Sequence, residues 1–254
     1  MNTMMKTPIS FLLLLLVPVL AYGQDSTGIG VVSKKFFQID FQPGYLRGDL
    51  SSINNSLREY GYNPMEGNML TYTVSAKFIT RRFVLDVGIP FFRASDQSHS
   101  DQRRTTLSGT GFNFEANLGY VLVEKKGFRL YPYAGLVSSY ATLKLMDTSP
   151  VTNLGGIVNG TRREGTITFS GGSFNLGIHA EKLIPLNNRK MDCPQNNRYL
   201  SLGVKAGYLF PINGGEPGEY NGQELVNAPR FGLKGPYVRL VIGMGTGIRR
   251  LKWQ

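Results

Sequence analysis

Residues 68–78 read NMLTYTVSAKF, and their pattern decides the fold. From Leu70 to Phe78 every second side chain is apolar, whereas the residues between them are threonine, serine and lysine. Met69 is an apolar residue that breaks this alternation. A period of two is that of a β-strand whose two faces meet different surroundings. The direction of the apolar face therefore distinguishes a soluble protein with an internal pocket from a chain that lies in a membrane.

The same alternation recurs in eight segments, at 35–46, 68–79, 83–93, 112–123, 128–143, 165–184, 199–210 and 237–248. The first, third, fifth and seventh connections are long, at 47–67, 94–111, 144–164 and 211–236, and the others are tight or, at 185–198, intermediate. Eight antiparallel strands joined in this order predict an all-β fold, a closed up-and-down barrel. Long connections at one end and short turns at the other are typical of bacterial outer-membrane barrels.

Glycine indicates which face points inward. The polar faces of the segments carry Gly44, Gly88, Gly119, Gly177, Gly203, Gly207, Gly243, Gly245 and Gly247. Glycine in a strand interior weakens the strand, so an exposed outer face would gain nothing from it. The interior of an eight-stranded barrel is narrow, and glycine there makes room for large neighbours. We therefore predict a polar interior and an apolar exterior that contacts lipid.

Two local features follow from this orientation. Gly135 should face inward and take Tyr131 and Tyr133 with it. A hairpin with Gly127 in the left-handed conformation should pair 124 with 128 and place Tyr133 over Gly119. In the sixth segment the apolar parity changes at Gly171-Gly172, which predicts a β-bulge.

The first 23 residues have the pattern of a secretory signal peptide. Lys6 precedes an apolar stretch from Phe11 to Leu20, and Ala21-Tyr22-Gly23 offers a small-x-small cleavage site. A retained anchor is the alternative. Residues 24–254 would then form one barrel domain, since no later stretch approaches the ~20 apolar residues of a membrane helix. Cleavage lowers the formal charge from +11 to +10 because Lys6 is lost.

Ionisable residues on the inward face are predicted to form a structural polar network that plugs the lumen: Asp40, Lys77, Asp86, Glu115, His179, Glu181, Lys205 and Arg239. Unpaired buried charges are costly, so these groups should pair with one another. A two-residue turn at Arg81-Arg82 places Lys77 across from Asp86, and we predict an ion pair there. His179 and Glu181 should form a hydrogen-bonded pair. A proton or ion path through the same residues is the alternative.

Basic residues gather at the short-turn end: Lys34, Lys35, Arg81, Arg82, Lys125, Lys126, Arg189, Lys190, Arg249 and Arg250. This basic periplasmic rim could hold anionic headgroups of outer-membrane lipids or bind an acidic envelope protein. A solvated rim with no function is the third interpretation. We do not predict nucleic-acid binding, because no stripe of basic residues is interleaved with exposed aromatic residues.

Aromatic residues are predicted to form two girdles, Tyr45, Tyr72, Phe91, Phe112, Tyr208 and Phe210 near the long connections and Phe37, Phe78, Phe83, Tyr120 and Trp253 near the short turns. The first long connection contains DLSSINNSLREYGYNP at 49–64. It predicts a short helix with Ser51 or Ser52 as N-cap, Ile53 and Leu57 on one side and an end near Gly61.

With these features the chain resembles the small outer-membrane barrels of the OmpX and OmpA-transmembrane type, and in particular the outer-membrane β-barrel proteins common in Bacteroidota. The resemblance rests on the signal peptide, the eight segments, LYPYAGL at 130–136 and the stretch at 49–64. It implies a cell outer-membrane location. We expect a monomeric barrel without cofactor or metal, and without an internal disulfide because Cys193 is the single cysteine.

Three functions remain open at this stage. The first is a structural or interaction role exerted through the long extracellular loops. The second is that of an accessory barrel in an envelope secretion or gliding machine, docked through the basic rim. The third is a lipid-modifying enzyme, since outer-membrane acyltransferases of the PagP type use His, Asp and Ser near the rim of the long loops, and His99 lies close to Asp96 and Ser98 in the connection 94–111. Nothing in the pattern fixes a catalytic geometry, so we do not predict an enzyme.

Overall fold

The computed structural model describes residues 35–59, 62–94, 103–109, 113–125, 127–147, 163–186, 196–212, 216–220, 223–224 and 229–248. Helix α1 spans Ser51–Glu59. The strands are β1 Lys35–Arg47, β2 Asn68–Thr80, β3 Phe83–Ala94, β4 Arg103–Ser108, β5 Phe114–Tyr120, β6 Val123–Lys125, β7 Phe128–Asp147, β8 Arg163–Pro185, β9 Asn196–Pro211, β10 Glu216–Pro217, β11 Glu219–Tyr220, β12 Gln223–Glu224, β13 Arg230–Phe231 and β14 Gly235–Ile248. Within the described ranges, no helix has the length and apolarity needed to cross a membrane.

The strands close into an antiparallel ring with eight positions. β1, β2 and β3 pair in sequence; β4, β5 and β6 share the fourth position; β7, β8, β9 and β14 follow. The ring closes because β14 pairs with β1, for example Met244 with Ile39. The predicted eight-stranded up-and-down barrel with a helix in the first long connection is thus confirmed.

The fourth position departs from the prediction. Pairing with β7 begins at Arg103, well before residue 112 where the sequence pattern placed the strand start. Ser108 pairs with Thr142 and Phe114 pairs with Ser138, so two extra residues interrupt the strand between β4 and β5. The apolar alternation could not reveal β4, because Leu107 is its one apolar residue and lies on the inward face.

The hairpin at Gly127 also differs in detail. Gly127 has the predicted positive φ, 79°, but Lys125 pairs with Phe128, so 124 does not pair with 128. Gly119 still pairs with Tyr133, because one extra residue before β6 compensates for the shorter turn. The ring that covers Gly119 belongs to Tyr131, whose Cδ2 would lie 2.9 Å from a Cβ at that position. The hydroxyl of Tyr133 covers Gly207 instead.

The two faces of the wall have the predicted orientation. On β1, Gln38, Asp40 and Gln42 point inward and are at most 1% exposed. Ile39 and Phe41 point outward and are 54% and 50% exposed. The polar face therefore lines the interior, and the apolar face forms the outer surface.

β8 contains no bulge at Gly171-Gly172, so that prediction is wrong. One register relates β7 to β8 from Phe128, which pairs with Lys182, to Asp147, which pairs with Arg163. Phe169 lies on the inward face and is 1% exposed, and its ring centroid is 5.6 Å from that of Phe231. The apolar residues change parity in the sequence because the inward side chains of β8 change from polar in the middle of the barrel to apolar near the long connections.

The interior at the long-connection end is an apolar cap cluster, made of Leu46, Leu50, Ile53, Leu57, Met65, Met69, Phe92, Ala94, Leu107, Tyr133, Val137, Ala141, Leu143, Phe169, Leu209, Phe231, Leu233 and Tyr237. α1 contributes Ile53 and Leu57, as predicted. Met69 breaks the alternation of β2 because it points into this cluster.

The start of α1 is capped differently from the prediction. The carbonyl of Leu50 accepts the first helical hydrogen bond, from the N–H of Asn54 at 2.8 Å. The carboxylate of Asp49 accepts from the N–H of Ser51 at 3.1 Å. Ser51 is therefore already inside the helix, and Asp49 supplies the side-chain acceptor that such a terminus needs.

A smaller base cluster closes the short-turn end. It consists of Ile79, Val84, Val121 and Tyr131, with Phe36 packed against it. The polar middle of the lumen thus lies between two apolar clusters.

Inward glycines should be sensitive to added volume. A Cβ on Gly207 would lie 2.6 Å from the carbonyl oxygen of Leu176 and 2.8 Å from the hydroxyl of Tyr133. We expect Gly207→Ala to lower the free energy of unfolding by about 1–3 kcal/mol, as overpacking does. Urea titration of the barrel in lipid vesicles would measure it.

Gly165→Ala is the matched control, because the nearest atom to its Cβ would be Cβ of Leu145 at 4.0 Å. This variant should be neutral or slightly stabilising, since alanine loses less backbone entropy than glycine. Equal losses for the two variants would contradict a tightly filled interior.

Candidate functional site

Among the residues that the structure describes, the interior holds eight charged side chains that are at most 4% exposed: Asp40, Lys77, Asp86, Glu115, Arg129, Glu181, Lys205 and Arg239. Four are basic and four are acidic, so their formal charges cancel. The structure brings together all the inward residues singled out from the sequence, His179 included, and adds Arg129.

The charged groups nearer the short turns are organised around Lys77. Its Nζ lies 2.9 Å from Asp40 and 3.0 Å from Glu181. Lys77 does pair with Asp86 in the β2–β3 register, as predicted. The predicted ion pair between these two residues is replaced, because a lysine side chain in so narrow a lumen reaches carboxylates on the other strands.

The charged groups nearer the middle are organised around Glu115. Lys205 Nζ lies 2.8 Å from Glu115 and 2.9 Å from Asp86, and Arg239 Nη1 lies 2.7 Å from Glu115. Asn117 donates a further hydrogen bond to Glu115 at 2.7 Å. A carboxylate that is desolvated needs such a set of donors.

Arg129 joins the lumen to the short-turn rim. Its guanidinium lies 3.2 Å from Glu124 and 3.8 Å from Glu181, and it lies over the ring of Phe36 at 4.2 Å. The parity fixed by Gly135 places residue 129 inward, so the signal for Arg129 was present in the sequence. The predicted set nevertheless left it out.

His179 is held by Tyr131 rather than by Glu181. Its Nδ1 lies 2.8 Å from the hydroxyl of Tyr131, whereas Nε2 is 3.8 Å from Glu181, beyond hydrogen-bond distance. The predicted His179–Glu181 hydrogen bond is therefore wrong. Tyr133 and Tyr237, the two tyrosines of the cap cluster, meet hydroxyl to hydroxyl, and the Tyr237 hydroxyl also donates to Asn175 at 2.8 Å.

An apolar belt surrounds the barrel. On β1 the outward residues from Phe37 to Tyr45 are apolar, and Lys35 and Arg47 flank them. The stretch from Phe37 to Tyr45 has nine residues, five of them outward, and matches the about 9–11 residues that a tilted strand needs to cross a bilayer. A belt of that height, bounded by charge, fits the hydrocarbon layer of a membrane.

Aromatic residues lie at both edges of the belt as contacting pairs. Ring centroids are 5.4 Å apart for Tyr72–Phe91, 4.5 Å for Tyr208–Phe210, 4.8 Å for Phe37–Phe78 and 5.3 Å for Phe83–Tyr120. Phe112 and Trp253, also predicted for the girdles, lie outside the described residues.

Four residues of the predicted basic rim are described, and all are exposed: Lys35, Arg81, Arg82 and Lys125. Glu124, the acidic residue beside them, already contacts Arg129. The other members of the rim, Lys34, Lys126, Arg189, Lys190, Arg249 and Arg250, lie outside the described residues, as do the predicted signal peptide, Cys193 and His99 with its neighbours.

No family model matches the chain. No curated protein matches it either. Among solved structures it is similar to the Neisserial surface protein A, with 12% identity over 85% of this chain and 97% of that one and a TM-score of 0.36. It is also similar to the attachment invasion locus protein Ail of Yersinia pestis, with 9% identity over 86% of this chain and 99% of that one and a TM-score of 0.37. A third similar structure is a major outer membrane protein of Thermus thermophilus, with 13% identity over 84% of this chain and 99% of that one and a TM-score of 0.41. At such values the function has to be argued from the residues of this barrel.

A double-mutant cycle tests the pairing inside the lumen. Lys205→Met and Asp86→Asn each leave a buried partner poorly compensated, and each should cost up to about 3–5 kcal/mol of unfolding free energy. Together they should cost less than the sum by about 0.5–3 kcal/mol, because the two side chains are in contact. Unfolding in urea from lipid vesicles gives the four values.

The matched control is the cycle of Asp86→Asn with Lys77→Met. These residues face each other in the sheet register, but Lys77 contacts Asp40 and Glu181 instead. The control cycle should be closer to additive. A larger coupling in the control than in the Lys205–Asp86 cycle would show that the partners are assigned wrongly.

Proposed function

We propose that the chain is an integral outer-membrane barrel that closes its own lumen and acts as a structural or interaction protein through its long-connection end. The observation that carries this proposal is the belt on β1, where all five outward residues between Lys35 and Arg47 are apolar, around a charge-balanced interior. The likeness to the barrels of Bacteroidota remains part of the proposal.

The outer surface supports a membrane location on energetic grounds. Leu70, Leu118 and Met244 are 67%, 68% and 61% exposed, and similar residues surround the ring. Soluble monomers rarely expose contiguous apolar patches beyond a few hundred Å². A closed ring also pairs its backbone groups internally, which a strand inside a bilayer requires.

The interior supports a closed lumen rather than an ion path. The four basic and four acidic buried groups contact one another, and an apolar cluster lies at each end of them. An ion or proton would have to leave water at either cluster, at a high desolvation cost. The same contacts argue against a catalytic role for these groups, since they already engage one another.

The length of the strands supports a role at the long-connection end. β7 has 20 residues and β8 has 23, about twice the number that a membrane strand needs. The surplus residues, with β4 and α1, enclose the cap cluster and form a folded platform. A rigid platform on a membrane anchor suits adhesion or the holding of a partner.

A charge on the belt tests the membrane location. Leu240 is 57% exposed on β14, and Leu240→Arg should cost about 2–4 kcal/mol of stability in lipid vesicles, because an arginine near the bilayer midplane is poorly solvated. Ser170→Arg, on the outward face of β8 beyond the belt, should change stability by less than about 0.5 kcal/mol. Urea titration in vesicles compares them, and equal costs would contradict the proposed membrane belt.

The exposed basic rim favours a second candidate, an accessory barrel of an envelope machine. Lys35, Arg81, Arg82 and Lys125 face solvent, and the neighbouring Glu124 is engaged by Arg129. An acidic periplasmic partner would complete this charge pattern.

Co-purification from gently solubilised envelopes tests this candidate. A stoichiometric partner should be lost with Arg81→Asn and Arg82→Gln; asparagine suits the positive φ of 55° at residue 81. Lys144→Gln with Arg230→Gln removes the same charge at the opposite end and should retain it. The machine role is excluded if no partner depends on the rim.

A further inference from the structure

A polar groove lies outside the barrel at the long-connection end. It has a volume of about 520 Å³ and runs between α1 and the ends of β1 and β2. Arg47, Asn68 and Glu66 line the strand side, and Asn55 and Arg58 line the helix side. Nothing in the belt or in the basic rim at the opposite end accounts for this groove.

The charge of the groove is positive. The ion pairs among the described residues include neither Arg47 nor Arg58. Asp49, also at the groove, is neutralised by Lys234 at 2.9 Å, whose hydrogen bond lowers the pKa of Asp49 to about 2. Glu66 then remains as one negative charge against two arginines.

The groove borders the lipid-facing wall. Arg47 pairs with Asn68, and the next outward pair towards the belt is Tyr45 with Leu70, which are 44% and 67% exposed. Arg93, which is exposed and pairs with Leu70, adds a third arginine at the same edge. In a membrane this edge is the level of the lipid headgroups, where acyl chains could lie on Tyr45 and Leu70.

We propose that this groove binds the phosphate of a membrane lipid headgroup, with Arg47 and Arg58 as its ligands. The inference rests on the membrane location proposed above. Guanidinium groups bind phosphate oxygens through paired, charge-assisted hydrogen bonds. A phosphate monoester fits best, because its charge of about −1.5 to −2 matches two arginines. The lipid would anchor the platform around α1 to the surrounding leaflet.

Nanodiscs of phosphatidylcholine with increasing phosphatidic acid provide the test. The full chain carries Arg81→Asn and Arg82→Gln as background, which lowers the charge of the basic rim equally in every variant compared. Native mass spectrometry of the released protein measures how many phosphatidic acid molecules are retained. Arg47→Gln with Arg58→Gln should lower the apparent affinity for phosphatidic acid about 25-fold, as read from the lipid content needed for retention. This factor corresponds to about 1 kcal/mol for each arginine at a charged lipid surface.

Lys144→Gln with Arg230→Gln is the matched control. Both residues are exposed at the same end of the barrel and neither lines the groove. Retention of phosphatidic acid should therefore equal that of the protein that carries only the Arg81 and Arg82 substitutions. Retention unchanged in Arg47→Gln with Arg58→Gln, in protein that has entered the discs, would overturn the inference alone. Displacement of phosphatidic acid by millimolar inorganic phosphate would also overturn it, in favour of a free anion. Failure of the unsubstituted chain to enter discs would overturn the membrane location and this inference together.

Discussion

A closed ring of eight strands leaves an interior so narrow that every inward side chain must find a neighbour of matching size and charge. The other features of the barrel depend on this constraint. Glu115 collects Lys205, Arg239 and Asn117, because a carboxylate removed from water needs donors on all sides. Large residues such as Tyr131 and Tyr133 fit because Gly119 and Gly207 lie opposite them. Ion pairs thus fill the middle of the interior, and large side chains elsewhere occupy the space that glycines leave free.

Much of the barrel follows from the period of two. The alternation in 68–78 and its repeats predicts the closed ring, the inward polar face and the register that places Lys77 across from Asp86, because a strand offers two faces and a two-residue turn fixes the pairing. The choice of ionic partner does not follow from register. Lys77 is long enough to reach Asp40 and Glu181. The alternation of polar and apolar residues does not indicate how far a flexible side chain reaches across the lumen. The predicted bulge in β8 failed for a related reason: Phe169 points inward into an apolar cluster, which a rule of polar inside and apolar outside does not allow for.

Two environments therefore divide the longer strands. Within the belt, β7 and β8 have an apolar outer face and a polar inner face. Beyond the belt, towards the long connections, their inner faces enclose an apolar core, as in a soluble domain. The transition lies near Ser139 and Gly171, which pair with each other. In the proposed membrane orientation, the change of parity marks the level at which a strand leaves the lipid. The groove beside α1 and the arginines at its edge lie at the same end of the barrel as this apolar core.

The contact between Lys77 and Glu181 spans 104 positions along the chain. Its other partner, Asp40, lies on the neighbouring β1, so β1 and β2 supply one carboxylate to this ammonium and β8 supplies the second. A hairpin of β2 and β3 alone places Lys77 across from Asp86, but their contacts in the finished barrel are with Asp40, Glu181 and Lys205, which lie on β1, β8 and β9. The charges of the interior are accordingly matched in full only when β14 closes the ring, because Arg239 on β14 completes the contacts of Glu115.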